Sequence, residues 1–128
     1  MMGKTDEEMK GWREKFKCDA PRCEYKDPTS RDYRFTHTSV LPYVIVKDDL
    51  ADIAASDVVV VNADAPSWGT AMEVVYARIL HKVIVGFCGG EQSPWLKHHC
   101  TVLKSNLKDA IEWVNRFQDS ILEDKDGL

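Results

Sequence analysis

The sequence has no apolar stretch that is long enough to cross a membrane. No segment approaches the roughly 18 consecutive apolar residues of a transmembrane helix. Residues 1–17 are rich in charge and lack the apolar centre of a secretory signal. The sequence therefore predicts a cytoplasmic protein that has no membrane partner.

Basic residues are also in the minority. Lysine and arginine number 17 against 21 aspartates and glutamates, which gives a net charge of −4. A protein that follows the phosphates of a nucleic acid polymer needs a broad basic surface, so no such partner is expected. One small nucleotide remains compatible with this charge.

Cysteine is sparse and shows no recognisable spacing. The cysteines match neither a zinc site nor a disulfide framework, so reduced thiols are expected, and the two later ones are predicted to lie buried in strands. A metal site formed by the first two with His98 or His99 is the less favoured alternative, and neither a metal nor a cofactor is predicted. The cysteines are Cys18, Cys23, Cys88 and Cys100.

The composition of the chain is typical of a single globular domain over residues 1–128. Apolar residues make up 44% of the chain and charged residues 30%, and a chain of this length buries roughly two-thirds of its unfolded surface. The valine-rich runs "DVVVVNA" and "KVIVGF" indicate strands buried on both faces. The predicted fold class is α/β: a three-layer, Rossmann-like (flavodoxin-like) parallel sheet flanked by helices.

The other elements each carry a signature of their own. Thr5 is predicted as the N-cap of a first helix, and Pro42 stands in the first turn of a second. A third helix is predicted over residues 70–81, and Ser93 caps a short fourth. The further helices are "KTDEEMKGWREKFK", "LPYVIVKDDLADIAAS", "SPWLKHH" and "NLKDAIEWVNRFQDSIL", and the further strands are "CEYK" and "CTVLK".

Glu73 is the most informative residue in the sequence. It follows the strand "DVVVVNA" at the edge where open parallel sheets bind ligands. Thr70 and Glu73 have the spacing of a capping box, so Glu73 is open to a structural interpretation as part of a helix N-terminus. The alternative is chemical, because an ionised carboxylate at that edge can attack an anomeric carbon and form a glycosyl ester.

The segment "DLADIAASDVVVVNADAPSWGTAMEVVYARILHKVIV" resembles the core of the nucleoside 2-deoxyribosyltransferase family, which includes the 2'-deoxynucleoside 5'-phosphate N-hydrolases. The pattern is an aspartate, a helix that ends in Ala-Ser-Asp, an apolar strand, a polar turn, and Gly-x-x-x-Glu before a second helix. The later segment "SPWLKHHC…LKDAIEWV" is similar to the tails of bacterial members. The resemblance covers about residues 42–117.

The resemblance implies roles for particular residues. Glu73 matches the nucleophile, and Asp49 matches the acidic residue that contacts the nucleoside and assists the base or sugar. Ser67 matches the serine with which the nucleotide hydrolases contact a 5'-phosphate; its structural alternative is a plain turn residue. Trp68 belongs to the same predicted substrate-binding turn, and Gly69 lets the backbone approach the ligand.

A partner subunit completes each pocket in the family. The matching segment here is "SPWLKHH", so the resemblance implies a homodimer or a higher homo-oligomer. Lys97 corresponds to a residue that reaches a phosphate across the dimer, and His98 or Trp95 to the lining of a base pocket. Their structural alternatives are a helix cap for Ser93, core or interface packing for Trp95 and a solvated charge for Lys97.

One family feature does not occur in the sequence. The family begins with a strand that carries a Tyr/Phe-x-x-Gly segment, and no such segment precedes "MMGKTDEEMKGW". In the strand order 2-1-3-4-5, that strand would lie between "CEYK" and "DVVVVNA". It is expected to be encoded upstream, to be supplied by another chain, or to be bypassed by direct pairing of "CEYK" with "DVVVVNA".

The sequence thus predicts an enzyme that cleaves or transfers the N-glycosidic bond of a (deoxy)nucleoside or its 5'-monophosphate, without a cofactor. Two alternatives remain open. One is a non-catalytic nucleotide-binding homologue with an incomplete site. The other is a structural or interaction domain in which Glu73 only caps its helix.

Overall fold

The computed structural model describes residues 6–65 and 67–126. Within this part of the chain, five α-helices and one short 3-10 helix accompany three strands. The helices are α1 (Asp6–Asp19), α2 (Leu41–Ala55), α3 (Trp68–Ile79), α4 (Pro94–His99) and α5 (Leu107–Asp126), with the 3-10 helix at Pro28–Ser30. The strands are β1 (Val58–Asn62), β2 (Val83–Phe87) and β3 (Val102–Lys104).

The three strands form one parallel sheet in the order β1-β2-β3. Val58 pairs with Val83 at the start of the first ladder, and Val85 pairs with Val102 at the start of the second. Helix α3 connects β1 to β2, and α4 connects β2 to β3. The predicted α/β architecture with a parallel sheet between helices is therefore confirmed, and it is compatible with a Rossmann-like fold.

Strand β2 lies at the centre of the molecule, and its side chains alternate between two cores. Val85 and Phe87 point to the side of α1 and α5, where they pack with Phe16, Ile111 and Val114. The Phe87 ring makes an edge-on contact with the Trp12 ring, with 5.4 Å between the ring centres. This face of the sheet is closed by two long helices.

The other face of β2 carries Ile84, which packs with the second core. That core brings together Ile53 of α2, Val61 of β1, and Val74 and Ala77 of α3. Because side chains alternate along a strand, a single valine-rich run serves both cores at once. This alternation explains why the sequence shows an unbroken apolar run in place of alternating polarity.

Gly86 of β2 is needed for close packing on the α3 side. A Cβ atom at this position would lie 2.9 Å from Leu103 Cδ1 and 3.1 Å from Cys100 Sγ. Side chains from β3 and from the residue that follows α4 therefore occupy the space that a larger residue would fill.

The predicted strand "CEYK" is wrong, because these residues form neither a strand nor a helix. The Tyr25 hydroxyl donates to the carbonyl oxygens of Phe16 and Ala20, at the end of α1. Lys17 of α1 also donates to Asp27, with 3.1 Å between the Lys17 Nζ and Asp27 Oδ2 atoms. These bonds tie the segment to α1 instead of to a strand.

Direct pairing of "CEYK" with the valine-rich strand is consequently also wrong. Among the described residues, β1 pairs with β2 along one edge, and no strand pairs with its other edge. Helix α3 begins two residues earlier than predicted, at Trp68. The predicted N-cap Thr5 lies outside the described residues.

Candidate functional site

Ser67 fixes the start of α3. Its Oγ accepts a hydrogen bond from the Thr70 backbone N–H at 3.1 Å and donates to Thr70 Oγ1 at 2.9 Å. Ser67 is therefore the N-cap, and Thr70 lies inside the helix. The capping-box interpretation of Thr70 and Glu73 is wrong, because the helix begins at Trp68 and Thr70 is its third residue and not its N-cap.

Ser67 is thus more than a plain turn residue, yet its hydroxyl is engaged within the helix end. Trp68 and Gly69 follow it in the first turn of α3, and all three are exposed. The turn therefore presents its side chains to solvent at the edge where β1 ends.

Glu73 lies one turn further along α3, and its carboxyl group reaches back toward the N-terminus of the helix. A Cβ atom at Gly69 would lie 3.9 Å from Glu73 Oε1 and 4.0 Å from Ser67 Oγ. These are ordinary contact distances, so glycine is not required by sterics alone. Its effect is to leave space beside the carboxyl group of Glu73 that any other residue would fill.

The carboxyl group of Glu73 faces Asp49 of α2. Burial raises the pKa of Glu73, and the nearby carboxyl group of Asp49 raises it further. The positive charge of Arg13, on α1, acts in the opposite direction. The structure therefore brings together Glu73 and Asp49, the two carboxyl groups that the sequence predicts to be catalytic.

Arg31 holds Asp49 from the opposite side. Its Nη1 atom donates to Asp49 Oδ1 at 2.6 Å, and the two side chains are only 21% and 19% exposed. The same guanidinium group also pairs with Asp52 and donates to the Asp48 carbonyl oxygen at 3.2 Å. A guanidinium group with several bonds in fixed geometry immobilises the carboxylate that it binds.

Arg31 and its neighbour Tyr33 are residues that sequence reasoning missed. The Tyr33 hydroxyl donates to Asp48 Oδ2 at 3.1 Å, and it lies 3.5 Å from Arg31 Nη1. Both residues come from the polar segment "DPTSRDYRF", where the only available signal was an arginine and an aromatic residue between turn residues. Their partners lie 15 and more positions away, which local pattern reasoning does not reach.

The loops that follow the three strands meet at the same edge of the sheet. Asp64, after β1, accepts a hydrogen bond from the backbone N–H of Gly89, after β2, at 2.7 Å. A Cβ atom at Gly89 would lie 3.6 Å from the carbonyl oxygen of Ser105, after β3. This edge is the position at which open parallel sheets bind ligands.

Helix α4 carries the predicted residues that stand apart from the two carboxyl groups. Ser93 caps the helix by accepting from the Trp95 N–H at 3.2 Å, as its structural alternative predicts. Trp95 is 78% exposed, which makes core packing wrong for this residue. Lys97 and His98 are also exposed. Among the described residues, no hydrogen bond or ion pair joins α4 to Glu73 or Asp49.

The cysteines lie away from the paired carboxyl groups. Cys88 is buried directly after β2, which places it beside the strand and not within it. Cys100 lies between α4 and β3, where burial raises its pKa to about 11. All four cysteines are free thiols. No group of three or more potential metal ligands occurs in the described part of the chain.

Two comparisons with known proteins found no match. The chain matches no family model, and no curated protein is significantly similar to it. None of the helices in the described residues is both long enough and apolar enough to span a membrane.

The two neighbouring carboxyl groups could act together in a reaction. One carboxyl group, Glu73, is partly buried with a raised pKa, and the other, Asp49, is held by Arg31. Two carboxyl groups in different environments can divide the tasks of nucleophile and proton carrier between them. The open space at Gly69 leaves room for a ligand atom beside Glu73.

Proposed function

We propose that this chain cleaves or transfers the N-glycosidic bond of a (deoxy)nucleoside or of its 5'-monophosphate through a covalent glycosyl ester on Glu73. The observation that carries the proposal is the pairing of Glu73 with Asp49 beside Gly69, after the valine-rich strand β1. The resemblance to the nucleoside 2-deoxyribosyltransferase family matches the same residues. A nucleophilic carboxylate with a second acidic group beside it, at the ligand edge of a parallel sheet, supplies two of the groups that this chemistry uses.

The reaction has two steps. A Glu73 carboxylate oxygen attacks C1' of the sugar, the bond from C1' to the base nitrogen breaks, and the base leaves with the electron pair of that bond. The base takes up a proton from water, and Asp49 assists by hydrogen bonding to the base or the sugar. A water molecule then attacks C1', the ester bond to Glu73 breaks, and the water gives up a proton to solvent. Alternatively, a second base attacks C1' with loss of its ring N–H proton, and the same ester bond breaks as the new nucleoside forms.

Asp49 acts in this scheme while it is held by Arg31. Because the Arg31 Nη1 atom lies 2.6 Å from Asp49 Oδ1, only the remaining oxygen positions of Asp49 are available to a sugar hydroxyl or to the base. A fixed carboxylate of this kind orients a substrate at little entropic cost. Ser67 would contact a 5'-phosphate, as in the nucleotide hydrolases that the sequence resembles.

The test of this function is an assay for free base. The protein is incubated with a panel of nucleosides and nucleoside 5'-monophosphates, and the products are separated by chromatography with and without an added acceptor base. Release of base, and its loss in Glu73→Ala and Glu73→Gln, is expected, with the sugar adduct on Glu73 visible by mass spectrometry. Absence of both base release and base exchange across the panel would sink the proposal.

A second candidate function is nucleotide binding without turnover. The observation that favours it is the free edge of β1, since no strand of the described residues lies where the family has the strand that closes the pocket. This function predicts calorimetric binding of a nucleoside monophosphate that Glu73→Gln leaves unchanged. Turnover of any nucleotide in the panel contradicts it.

A further inference from the structure

A single guanidinium group serves a cluster of acidic residues on α2. Arg31, in the loop before this helix, donates through Nη1 to Asp49 Oδ1 at 2.6 Å. Its Nη2 atom donates to the Asp48 carbonyl oxygen at 3.2 Å and pairs with the Asp52 carboxylate. The side chains of Asp49 and Asp52 are 19% and 27% exposed. Both carboxylates therefore lie largely out of water and depend on this cation for charge compensation.

Asp49 is otherwise surrounded by groups of its own charge. Within the described part of the chain, Arg31 is the only basic side chain that forms a hydrogen bond or an ion pair with Asp49. The other charged groups around Asp49 are acidic, namely Asp48 and Asp52 on its own helix and Glu73 on α3. Neighbouring like charges disfavour the ionised form of a carboxyl group. Without Arg31, Asp49 would therefore turn toward solvent or take up a proton.

The segment that carries Arg31 is itself fixed on both sides of this residue. The Arg31 backbone N–H donates to the Pro28 carbonyl oxygen at 3.4 Å, at the end of the 3-10 helix. Two residues later, the Tyr33 hydroxyl donates to Asp48 Oδ2 at 3.1 Å. A group that positions another must be held by its own contacts, and Arg31 meets this condition.

This arrangement decides what Asp49 can do for a substrate. Arg31 binds Asp49 Oδ1, which leaves Oδ2 available to a ligand. An ionised carboxylate only accepts hydrogen bonds, so Oδ2 can take an O–H or N–H of the substrate but has no proton to give to the leaving base. We propose that Arg31 is a positioning residue, which holds Asp49 ionised beside Glu73 and so makes it a fixed acceptor that orients the substrate. The effect on turnover rests on the proposed function, whereas the effect on Asp49 does not.

The first experiment needs no substrate, so its result is independent of the base-release assay. Burial and the carboxyl group of Asp49 raise the pKa of Glu73, while the charge of Arg13 on α1 lowers it. In the wild type, Asp49→Asn should therefore lower the pH midpoint of the Glu73 carboxyl group, measured by carbon NMR of isotope-labelled glutamate and assigned with Glu73→Gln. In an Arg31→Met background the same substitution should shift the midpoint by less than half as much, because Asp49 is then displaced or uncharged.

Arg34→Met is the matched control for this measurement. Arg34 lies in the same loop, its side chain is 78% exposed, and it pairs with Asp32. In this background Asp49→Asn should shift the Glu73 midpoint as it does in the wild type. An equal shift in the Arg31→Met background would overturn the proposal, because Asp49 would then stay ionised beside Glu73 without Arg31. Absence of any shift in the wild type would overturn it as well.

The second experiment measures the turnover of a nucleoside or nucleotide that releases base. Arg31→Met should lower kcat by about 10- to 100-fold, because misplacement of an orienting group costs up to this much. Arg31→Lys, which retains the charge but not the planar fork, should recover part of the loss. In an Asp49→Asn background, Arg31→Met should lower kcat further by about 2-fold at most, because Arg31 acts through Asp49.

A purely structural role for Arg31 predicts a different result. Arg31→Met would then cause the same fold-loss of kcat in the wild type and in the Asp49→Asn background, and this outcome would overturn the proposal. Circular dichroism shows whether each variant is folded, and Arg31→Gln replaces Arg31→Met if the latter does not fold. Absence of base release would end the proposed function, while the Glu73 midpoints would still decide whether Arg31 holds Asp49 ionised.

Discussion

The two helical layers of this molecule differ in how much apolar surface they leave exposed. On one side of the sheet, α1 and α5 bury Phe16, Ile111 and Val114 against Phe87 and turn polar residues outward. On the other side, α2 and α3 bury Ile53 and Val74 but leave a second apolar surface exposed. The same strand, β2, supplies both cores.

Burial inside the chain therefore leaves one of the two helical layers with an exposed apolar side. Helix α5 is amphipathic: one side is apolar and packs on the core, as expected for a helix whose other side faces solvent. Helix α3 is apolar on two opposite sides and polar near its N-terminus, where it carries Glu73.

The largest effects are expected at the strand that both layers share. Phe87→Ala removes a ring that is 1% exposed on the α1–α5 side, and it should lower the free energy of unfolding by about 3–5 kcal/mol. Ile84→Ala, on the other side of the same strand, should cost about 2–5 kcal/mol. Chemical denaturation measures both, with Phe35→Ala as the exposed control. Equal stability of Phe87→Ala and wild type would contradict the assignment of this core.

Two neighbouring valines on α3 sharpen the comparison between its inner and outer sides. Val74 is 5% exposed and Val75 is 44% exposed, so each serves as the control for the other. Val74→Ala should lower the free energy of unfolding by about 2 kcal/mol at every protein concentration. Val75→Ala should cost about 0.5 kcal/mol or less. Identical costs for both variants would remove the distinction between the two sides.

The helix cap of α3 gives a smaller effect. Ser67→Ala removes the oxygen that accepts the Thr70 N–H, and it should cost about 1 kcal/mol in thermal or chemical unfolding. Thr70→Ala should cost less, because the Thr70 hydroxyl only accepts a hydrogen bond from the Ser67 hydroxyl and is not the cap of the helix. A larger loss at Thr70 than at Ser67 would restore the capping-box interpretation that the structure rejects.

The smallest effect concerns the dependence of stability on pH. Burial and Asp49 raise the pKa of Glu73 above its ordinary value of 4.5, so the native state binds this proton more tightly than the unfolded state. The stabilisation by that proton is complete below pH 4.5 and is lost as the pH rises through the raised pKa. Glu73→Gln cannot titrate, so its stability relative to wild type should increase from pH 4.5 toward neutrality.

Asp27 is the opposite case and serves as the control. Burial acts to raise its pKa, but hydrogen bonds from Thr29 and Lys17 outweigh burial, so the pKa is lowered from its ordinary value of 3.8. The stabilisation by ionised Asp27 is present above that value and is lost as the pH falls through the lowered pKa. Asp27→Asn should therefore be most destabilising at neutral pH. A Glu73→Gln difference that shrinks toward neutral pH would contradict the assignment of Glu73.

The sheet and its helices could be predicted because their signals are local. A run of four valines between turn residues is typical of a strand buried on both faces, and the spacing of Ile111 and Val114 placed one side of α5 in the core. The prediction of a strand at "CEYK" was wrong for a reason that the sequence does not show. Tyr25 bonds to two carbonyl groups at the end of α1, a tertiary contact that overrides β-propensity.

The candidate site was only partly predictable for the same reason. The resemblance assigned Glu73 and Asp49 to one site, and the structure brings the two residues together, but Arg31 was not expected. Its contact with Asp49 spans 18 positions in the sequence, and no periodicity marks it. The sequence predicted Thr70 as the helix cap, whereas the structure has Ser67 in that position. Both residues carry a hydroxyl group, and the extended backbone conformation of Ser67, which the sequence does not show, makes it the cap.

The distribution of thiols makes this protein easy to label at a chosen place. Cys88 is buried, which shields it from reagents, and burial raises the pKa of Cys100 to about 11, so little of Cys100 is present as reactive thiolate at neutral pH. Cys23 is partly exposed, so its replacement by serine would leave Cys18, exposed on α1, as the most accessible thiol. A fluorophore attached there would report on rotation of the molecule without touching Glu73.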